Sequence, residues 1–292
     1  MRIRTKTTIS SLIMLSPILV LVIVFFVYPL FRVFFMSLQD WHPLGRPEFI
    51  GFSNYRGVLS STEFWVSFYN TIIYTLIVTP MIMIPALYFA VVLNKTSLKS
   101  KFFRTVFFLP VAISFVVASY IWQWIYNDIY GLLNYILASI GLIDQPVVWL
   151  GETWLARVMV SVMVAWKTTG FSMMILLAGL QAIPHEVYEA AKIDGANSRQ
   201  EFWRITLPLL RPTLMLALII SIAGSFKAFD HFYIMTGGGP MRTTQTIVMF
   251  INKYSFEFYR VGAGAAASVI LLVVLLALSS LQLRIGGFRR ND

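Results

Sequence analysis

Cysteine is absent from this 292-residue chain, so no disulfide, thiolate metal site or thiol chemistry is available to it. Charge is scarce as well. Charged residues make up 12% of the chain, against roughly 25% in soluble domains, while hydrophobic residues make up 58%. A water-soluble globule is excluded, and an integral membrane protein is implied. No Gly-x-x-x-x-Gly-Lys-Ser/Thr segment occurs, and Gly237-Gly238-Gly239-Pro240 has neither a lysine nor a strand-to-helix setting to make a phosphate cradle, so the chain cannot itself use ATP. There is no His-Glu-x-x-His pair, and His42, His185 and His231 stand in loops or at the ends of apolar runs, which argues against an intramembrane metalloenzyme. The long apolar runs hold almost no carboxylates, whereas an ion-coupled secondary transporter, the chief alternative, keeps such groups as relays. The net charge of +10 would suggest nucleic acid in a soluble chain. In a membrane protein it is read by position, because cytoplasmic loops accumulate Lys and Arg, and no nucleic-acid partner is expected.

What is present is a set of apolar runs of about 20 residues or more, the length that crosses roughly 30 Å of hydrocarbon. The sequence predicts six spans near 12–33, 67–93, 104–126, 155–182, 207–229 and 261–283, in a single permease domain over 1–292. The first span is preceded by Arg2, Arg4 and Lys6 but continues past Phe31 without a small-residue cleavage site, so it is expected to be retained. The piece from Leu132 to Ile143 is too short to cross and is expected as a helix on the outer surface. Basic residues divide unevenly between the two sides. One side has the N-terminal cluster, Lys95, Lys99, Lys101 and Arg104, then Lys192, Arg199, Arg204 and Arg211, then Arg284, Arg289 and Arg290. The other has only Arg46, Arg56, Arg242, Lys253 and Arg260. Both termini and the loop at 183–206 are therefore expected in the cytoplasm.

That loop is the most informative stretch. Pro184 suits the first turn of a helix and Gly195 the position just past a helix end, which predicts a short helix over 184–194. Small Ala190 and Ala191 would let another surface approach, and Glu186, Glu189 and Asp194 offer carboxylates to basic partner groups. Ser198 followed by Glu201 reads as a capping box that opens a second helix. The series Glu189-Ala-Ala, Gly195, Ile205, Leu207, Pro208 is similar to the cytoplasmic coupling loop of the membrane-spanning subunits of ATP-binding-cassette importers. Ile234-Met-Thr-Gly-Gly-Gly-Pro240, Thr243-Thr244, Gly262 through Ser268, Gly51-Phe-Ser-Asn54-Tyr55, Asn70-Thr71 and Gly131-Leu-Leu-Asn134 resemble the carbohydrate-uptake branch, specifically its maltose-importer-type and glycerol-phosphate-importer-type first permease.

The resemblance implies an all-α membrane protein with the type I importer permease fold, in the plasma membrane of a bacterium. It implies a second, homologous permease, two ATPase subunits that bind the ATP and Mg, an extracytoplasmic solute-binding protein and a sugar substrate. The chain would bind no cofactor and break no substrate bond. Alignment to the family pattern through Trp166 and Pro184 brings Lys167, Thr168 and Phe171 to the substrate level, and alignment through Gly238-Gly239-Pro240 does the same for Ser221, Gly224 and Ser225. Lys167 lies about 12 residues into its span, roughly 18 Å deep at 1.5 Å per residue. A cation at that depth ordinarily marks a pathway, so Lys167, joined by Lys227, is expected to receive an acidic sugar; pairing to a carbonyl or to a carboxylate of a partner subunit is the structural alternative. Pro80 and Pro85 inside the second span each remove a helix hydrogen bond and favour a kink there.

Overall fold

The computed structural model describes residues 14–42 and 45–286. The basic residues Arg2, Arg4, Lys6, Arg289 and Arg290, and the first two residues of the span expected at 12–33, lie outside the described residues. The remainder is helical, with one two-stranded hairpin. Where one domain over 1–292 is expected, contacts within the chain divide it into two compact units, one running to Ser61 and including Ile251–Val273, the other comprising Thr62–Phe250 and the chain from Val274.

The smaller unit holds helix α1 (Met14–Ser37), the antiparallel strands β1 (Gln39–Asp40) and β2 (Glu48–Phe49), and helix α2 (Ser53–Leu59). Every position of the most apolar stretch of α1 faces outward, as lipid-facing residues do. The Asn54 side-chain amide donates to the Ser37 and Gln39 carbonyls at 3.0 and 2.8 Å. Gly262 is small for a physical reason: a Cβ there would run into the Gln39 carbonyl and the Asn54 amide. The run from Gly262 to Ala267 is buried accordingly.

The larger unit is built on two long helices, α3 (Thr62–Val92) and α7 (Thr153–Gln181), which pack along each other. Tyr74, Val78 and Ile82 of α3 meet Val160, Met163 and Val164 of α7 in one core. Met83, Ala86 and Ala90 meet Met173, Leu176 and Leu177 in a second. Helix α3 continues through Pro80 and Pro85 without a break, because both prolines stand on a helix whose other backbone bonds are intact.

The third span departs most from expectation. Instead of one crossing over 104–126 there are two helices, α4 (Leu98–Phe108), extended by a 3-10 turn Leu109–Ala112, and α5 (Phe115–Ile125), bent by 98° at the break. Pro110 cannot donate its nitrogen to the ladder, and Ser114 restarts the helix by accepting from the Val117 amide at 3.2 Å. The stretch expected as a short surface helix is α6 (Leu132–Ser139), followed by α7, α8 (His185–Ile193) and α9 (Ser198–Phe226). Helix α9 begins nine residues before the expected span and carries a π turn at Phe202–Thr206 ahead of Pro208. Then follow α10 (Asp230–Met235), α11 (Ile247–Asn252) and α12 (Val261–Ile285). Among the described residues five helices are long and apolar enough to cross a membrane, six if the bent pair counts as one span.

Candidate functional site

A cavity of about 220 Å³ opens between α3, α5, α7, α9 and α10 of the larger unit. Thr168, Phe171 and Ser172 line it from α7, and Ser221, Gly224, Ser225 and Lys227 from α9 and its end. It is smaller than the roughly 300–1,000 Å³ of sites for drug-sized ligands. Two of its hydroxyls are already engaged: Thr168 donates to the Val164 carbonyl at 2.7 Å and Ser225 to the Ser221 carbonyl at 2.9 Å. The Ser221 hydroxyl oxygen is buried and, among the described residues, has no hydrogen-bond partner. A buried unpaired hydroxyl is uncommon, and Ser221 belongs to the cavity lining, so it is a candidate hydrogen-bonding group there. A Cβ built on Gly224 meets nothing within 4 Å, so this position leaves open space where a larger residue would intrude.

Four further lining residues have no counterpart in the sequence reading: Tyr74, Phe115, Asp230 and His231. Tyr74 and His231 share a hydrogen bond of 3.1 Å between the phenol oxygen and Nε2. His231, on the short helix α10, is buried among Phe115, Tyr74 and Phe232. That burial pushes its imidazole down to about 3, so the ring is neutral. The adjacent Asp230-His231 pair just past a span end was the available sequence signal. Tyr74 carried none, standing in an apolar run without charge.

Lys167, expected on the substrate path, is not among the residues that line this cavity. Its side chain is buried, and the ammonium donates to the carbonyls of Pro110 at 3.4 Å and Val111 at 3.3 Å, and to that of Ile113. It also lies 4.7 Å from the Phe115 ring centroid. Carbonyls at the break in the third span thus satisfy this cation, that of Pro110 while also accepting from the Ile113 amide at 3.2 Å. Among the described residues no ion pair joins Lys227 to Asp230, and both face the cavity. The wall thus offers one charge of each sign and has no preference for an anion.

The second region of interest is the loop after α7. Helix α8 starts at His185, with Pro184 as its N-cap in place of the first helical position. It ends in a Schellman motif: Ala196 donates to the Ala191 carbonyl at 2.9 Å and Gly195 to that of Lys192 at 3.1 Å. Gly195 has φ of +78°, a backbone that side-chain-bearing residues rarely adopt. The following helix is capped one residue earlier than the sequence suggested. Asn197 accepts from the Gln200 amide and the Gln200 side chain accepts from the Asn197 amide, both at 2.9 Å, so the capping box is Asn197/Gln200 and not Ser198/Glu201. Tyr188 reaches Thr206 at 3.3 Å, tying α8 to the root of α9.

On this frame Glu186, Glu189, Ala190, Asp194 and Gly195 are exposed, whereas Ala191 is buried within the chain and does not present a surface. Ile193 is 87% exposed at the last turn of α8. Glu189 meets His185 at 3.1 Å, a solvated pair one turn apart that contributes little to stability.

On the opposite side of the larger unit a polar network holds the Gly-Gly-Gly-Pro turn. Arg157 donates to the Thr243 carbonyl at 2.8 Å and to Asn70 Oδ1 at 2.7 Å. Asn70 in turn donates to the Arg242 and Gln245 carbonyls at 2.9 and 3.2 Å, and Gln245 to Glu63 at 3.1 Å.

Comparison with known proteins follows the same lines. Residues 84–286 match the family described as binding-protein-dependent transport system inner membrane component. The chain is 38% identical over 281 residues to the trehalose/maltose transport system permease protein MalF of Thermococcus litoralis, covering 96% of this chain and 94% of that protein. It is 33% identical over 280 residues to the sulfoquinovosyl glycerol transport system permease protein SmoG of Agrobacterium fabrum, covering 94% and 89%. A chain in the crystal structure of a bacterial ABC transporter involved in the import of the acidic polysaccharide alginate superposes with a TM-score of 0.81 over 100% of both chains, at 24% identity, a likeness of fold. An ion-coupled secondary transporter is thereby set aside. The protein is membrane-embedded and is no enzyme: it belongs to the inner membrane components of binding-protein-dependent ABC transport systems, as a permease.

Proposed function

We propose that this chain is one of two homologous permeases of a sugar importer, working with two ATPase subunits that bind ATP and Mg and with an extracytoplasmic binding protein that delivers the sugar. The observation that carries the reading is the α8 turn. It presents Glu186, Glu189, Ala190 and Asp194 to solvent on a helix fixed at its end by Gly195 and tied to the root of α9 by Tyr188. A helix so braced passes a push on to the spans, since α9 follows it after a four-residue turn. Both termini and this loop lie on the ATPase side in this reading, in agreement with the excess of basic residues there.

The sugar would pass through the cavity, with Thr168, Ser221 and Ser225 as hydrogen-bonding groups, Phe171 against an apolar sugar face, Gly224 leaving room, and Lys227 near the outer end. Relatives named for trehalose/maltose and for sulfoquinovosyl glycerol support a sugar or sugar derivative as cargo. With Lys167 withdrawn from the wall, the charge of the sugar does not follow from this chain.

The test uses the assembled importer in vesicles. Glu189→Lys reverses the charge presented to the ATPase cleft, and sugar uptake and binding-protein-stimulated ATP hydrolysis are expected to fall by roughly tenfold or more, equivalent to about 1.4 kcal/mol or more of lost coupling. Normal stimulation and uptake in that variant, at wild-type membrane levels, would show that the loop is not the coupling element.

A further inference from the structure

The ammonium of Lys167 is a cation set into the membrane-spanning part of the chain with no carboxylate beside it among the described residues. A charge in that setting costs about 2.5–3.5 kcal/mol on insertion scales and requires compensation. The compensation is local and complete: three donors on one nitrogen face the three carbonyls of Pro110, Val111 and Ile113. These carbonyls belong to the end of the Leu98–Ala112 helical stretch and the break just after it, where the helix dipole also favours a positive charge. Three residues further along α7, Gly170 presses against the same place: a Cβ there would run into the Phe107 carbonyl, and Phe108 lies beside it. One face of α7 therefore grips the end of α4 twice, by contact at Gly170 and by hydrogen bonds at Lys167.

The grip extends to the cavity through one side chain. Phe115 is the first residue of α5, directly after the gripped segment. Its ring has the Lys167 ammonium 4.7 Å from its centroid and the His231 ring 5.4 Å away. His231 in turn is held by Tyr74. Phe115, His231 and Tyr74 all line the cavity, whereas Lys167 does not.

We propose that Lys167 is a positioning residue of the substrate path. By holding the carbonyls of the broken third span it fixes the Phe115 ring, against His231, on the wall of the cavity that Ser221 also lines, and so sets the width of that cavity. Lys167 touches no substrate; its effect on transport passes through Phe115. The link to transport rests on the cavity being the sugar path, while the link from Lys167 to the wall does not.

The absence of cysteine makes a direct test available, since a single introduced thiol is the only one in the chain. Ser221→Cys places that thiol where the native oxygen is buried, so labelling by a small methanethiosulfonate in membranes is slow. Added Lys167→Met is expected to speed labelling several-fold, and Lys167→Arg, which keeps a cation able to bond carbonyls and stack on Phe115, to restore the slow rate. Phe115→Ala, with the lysine left in place, is expected to give the fast rate by itself. The double variant Lys167→Met/Phe115→Ala should label no faster than either single variant, because both act on one element. In the assembled importer the apparent KM for sugar should rise with Lys167→Met and return with Lys167→Arg. Unchanged labelling in Phe115→Ala overturns the proposal whether or not the methionine variant accumulates, and so do additive effects in the double variant. Faster labelling with an unaltered KM would uphold the positioning role and overturn the cavity as the sugar path.

Discussion

The cavity and the α8 turn use polar groups in opposite ways. In the cavity, Thr168 and Ser225 bond to their own helices, Tyr74 and His231 bond to each other, and the Ser221 hydroxyl is buried without a partner among the described residues. In the turn, the backbone is satisfied by the Schellman motif and the Asn197/Gln200 box, while among the described residues no ion pair engages Glu186 or Asp194. The first region is shaped by this chain; the second is shaped but left for another molecule to complete. Substitutions in the turn should therefore disturb coupling with little effect on folding, and substitutions in the cavity should disturb passage of substrate.

The comparison breaks first at Gly195. Gly195→Val forces a β-branched residue to φ near +78°, at a cost of roughly 1–3 kcal/mol that is concentrated in the turn. Stimulated ATP hydrolysis and uptake should then fall by an order of magnitude or more while the protein still inserts, as measured on matched membrane levels. If coupling survives, the turn geometry is not what positions α8. Next in size is Gly224→Phe, which directs a ring into open space in a cavity of about 220 Å³. Uptake should drop several-fold, with less change in stimulated ATP hydrolysis; uptake at the wild-type rate would mean that substrate does not pass this point. The smallest effect sharpens the contrast. Ser221→Ala removes an unpartnered hydroxyl, so a sugar that uses it should show a KM raised by roughly 2–10-fold, the equivalent of about 0.5–1.5 kcal/mol for a neutral hydrogen bond. If no sugar uses it, KM holds and thermal stability stays level or improves, because an unpaired buried polar group has been removed.

Much of this was legible in the sequence, and the gaps have physical causes. The long helices announce themselves through charge-free runs between Glu63 and Lys95 and between Arg260 and Arg284. The turn at Gly195 follows from glycine's access to the left-handed region. The break in the third span was hidden: Pro110 and Ser114 are ordinary residues in membrane helices, and the group that makes the break tolerable, Lys167, is more than fifty residues away in the chain. The same distance leaves the partner of Lys167 unread, since depth in a span says that a cation needs a partner without saying which one. For the cavity, the family pattern extends to α7 and α9, which supply Thr168, Phe171, Ser221, Gly224, Ser225 and Lys227, and not to α3, α5 and α10, which supply Tyr74, Phe115, Asp230 and His231. The capping box slipped by one residue because Asn197 and Ser198 are both good caps, and the choice falls to whichever finds a partner three residues on.

The three carbonyls around Lys167 also constrain how the chain is made. Helix α7 brings a buried cation into the membrane, and the break between α4 and α5 brings the carbonyls that meet it, of which that of Pro110 also accepts from the Ile113 amide. Neither is comfortable in lipid by itself, since exposed backbone groups and bare charges are both heavily penalised there. The α4–α5 pair is made first during synthesis, and Lys167 follows the end of α5 by some forty residues. The cation and the carbonyls that hold it are thus made at different times, and the contact between them forms only once α7 is in place.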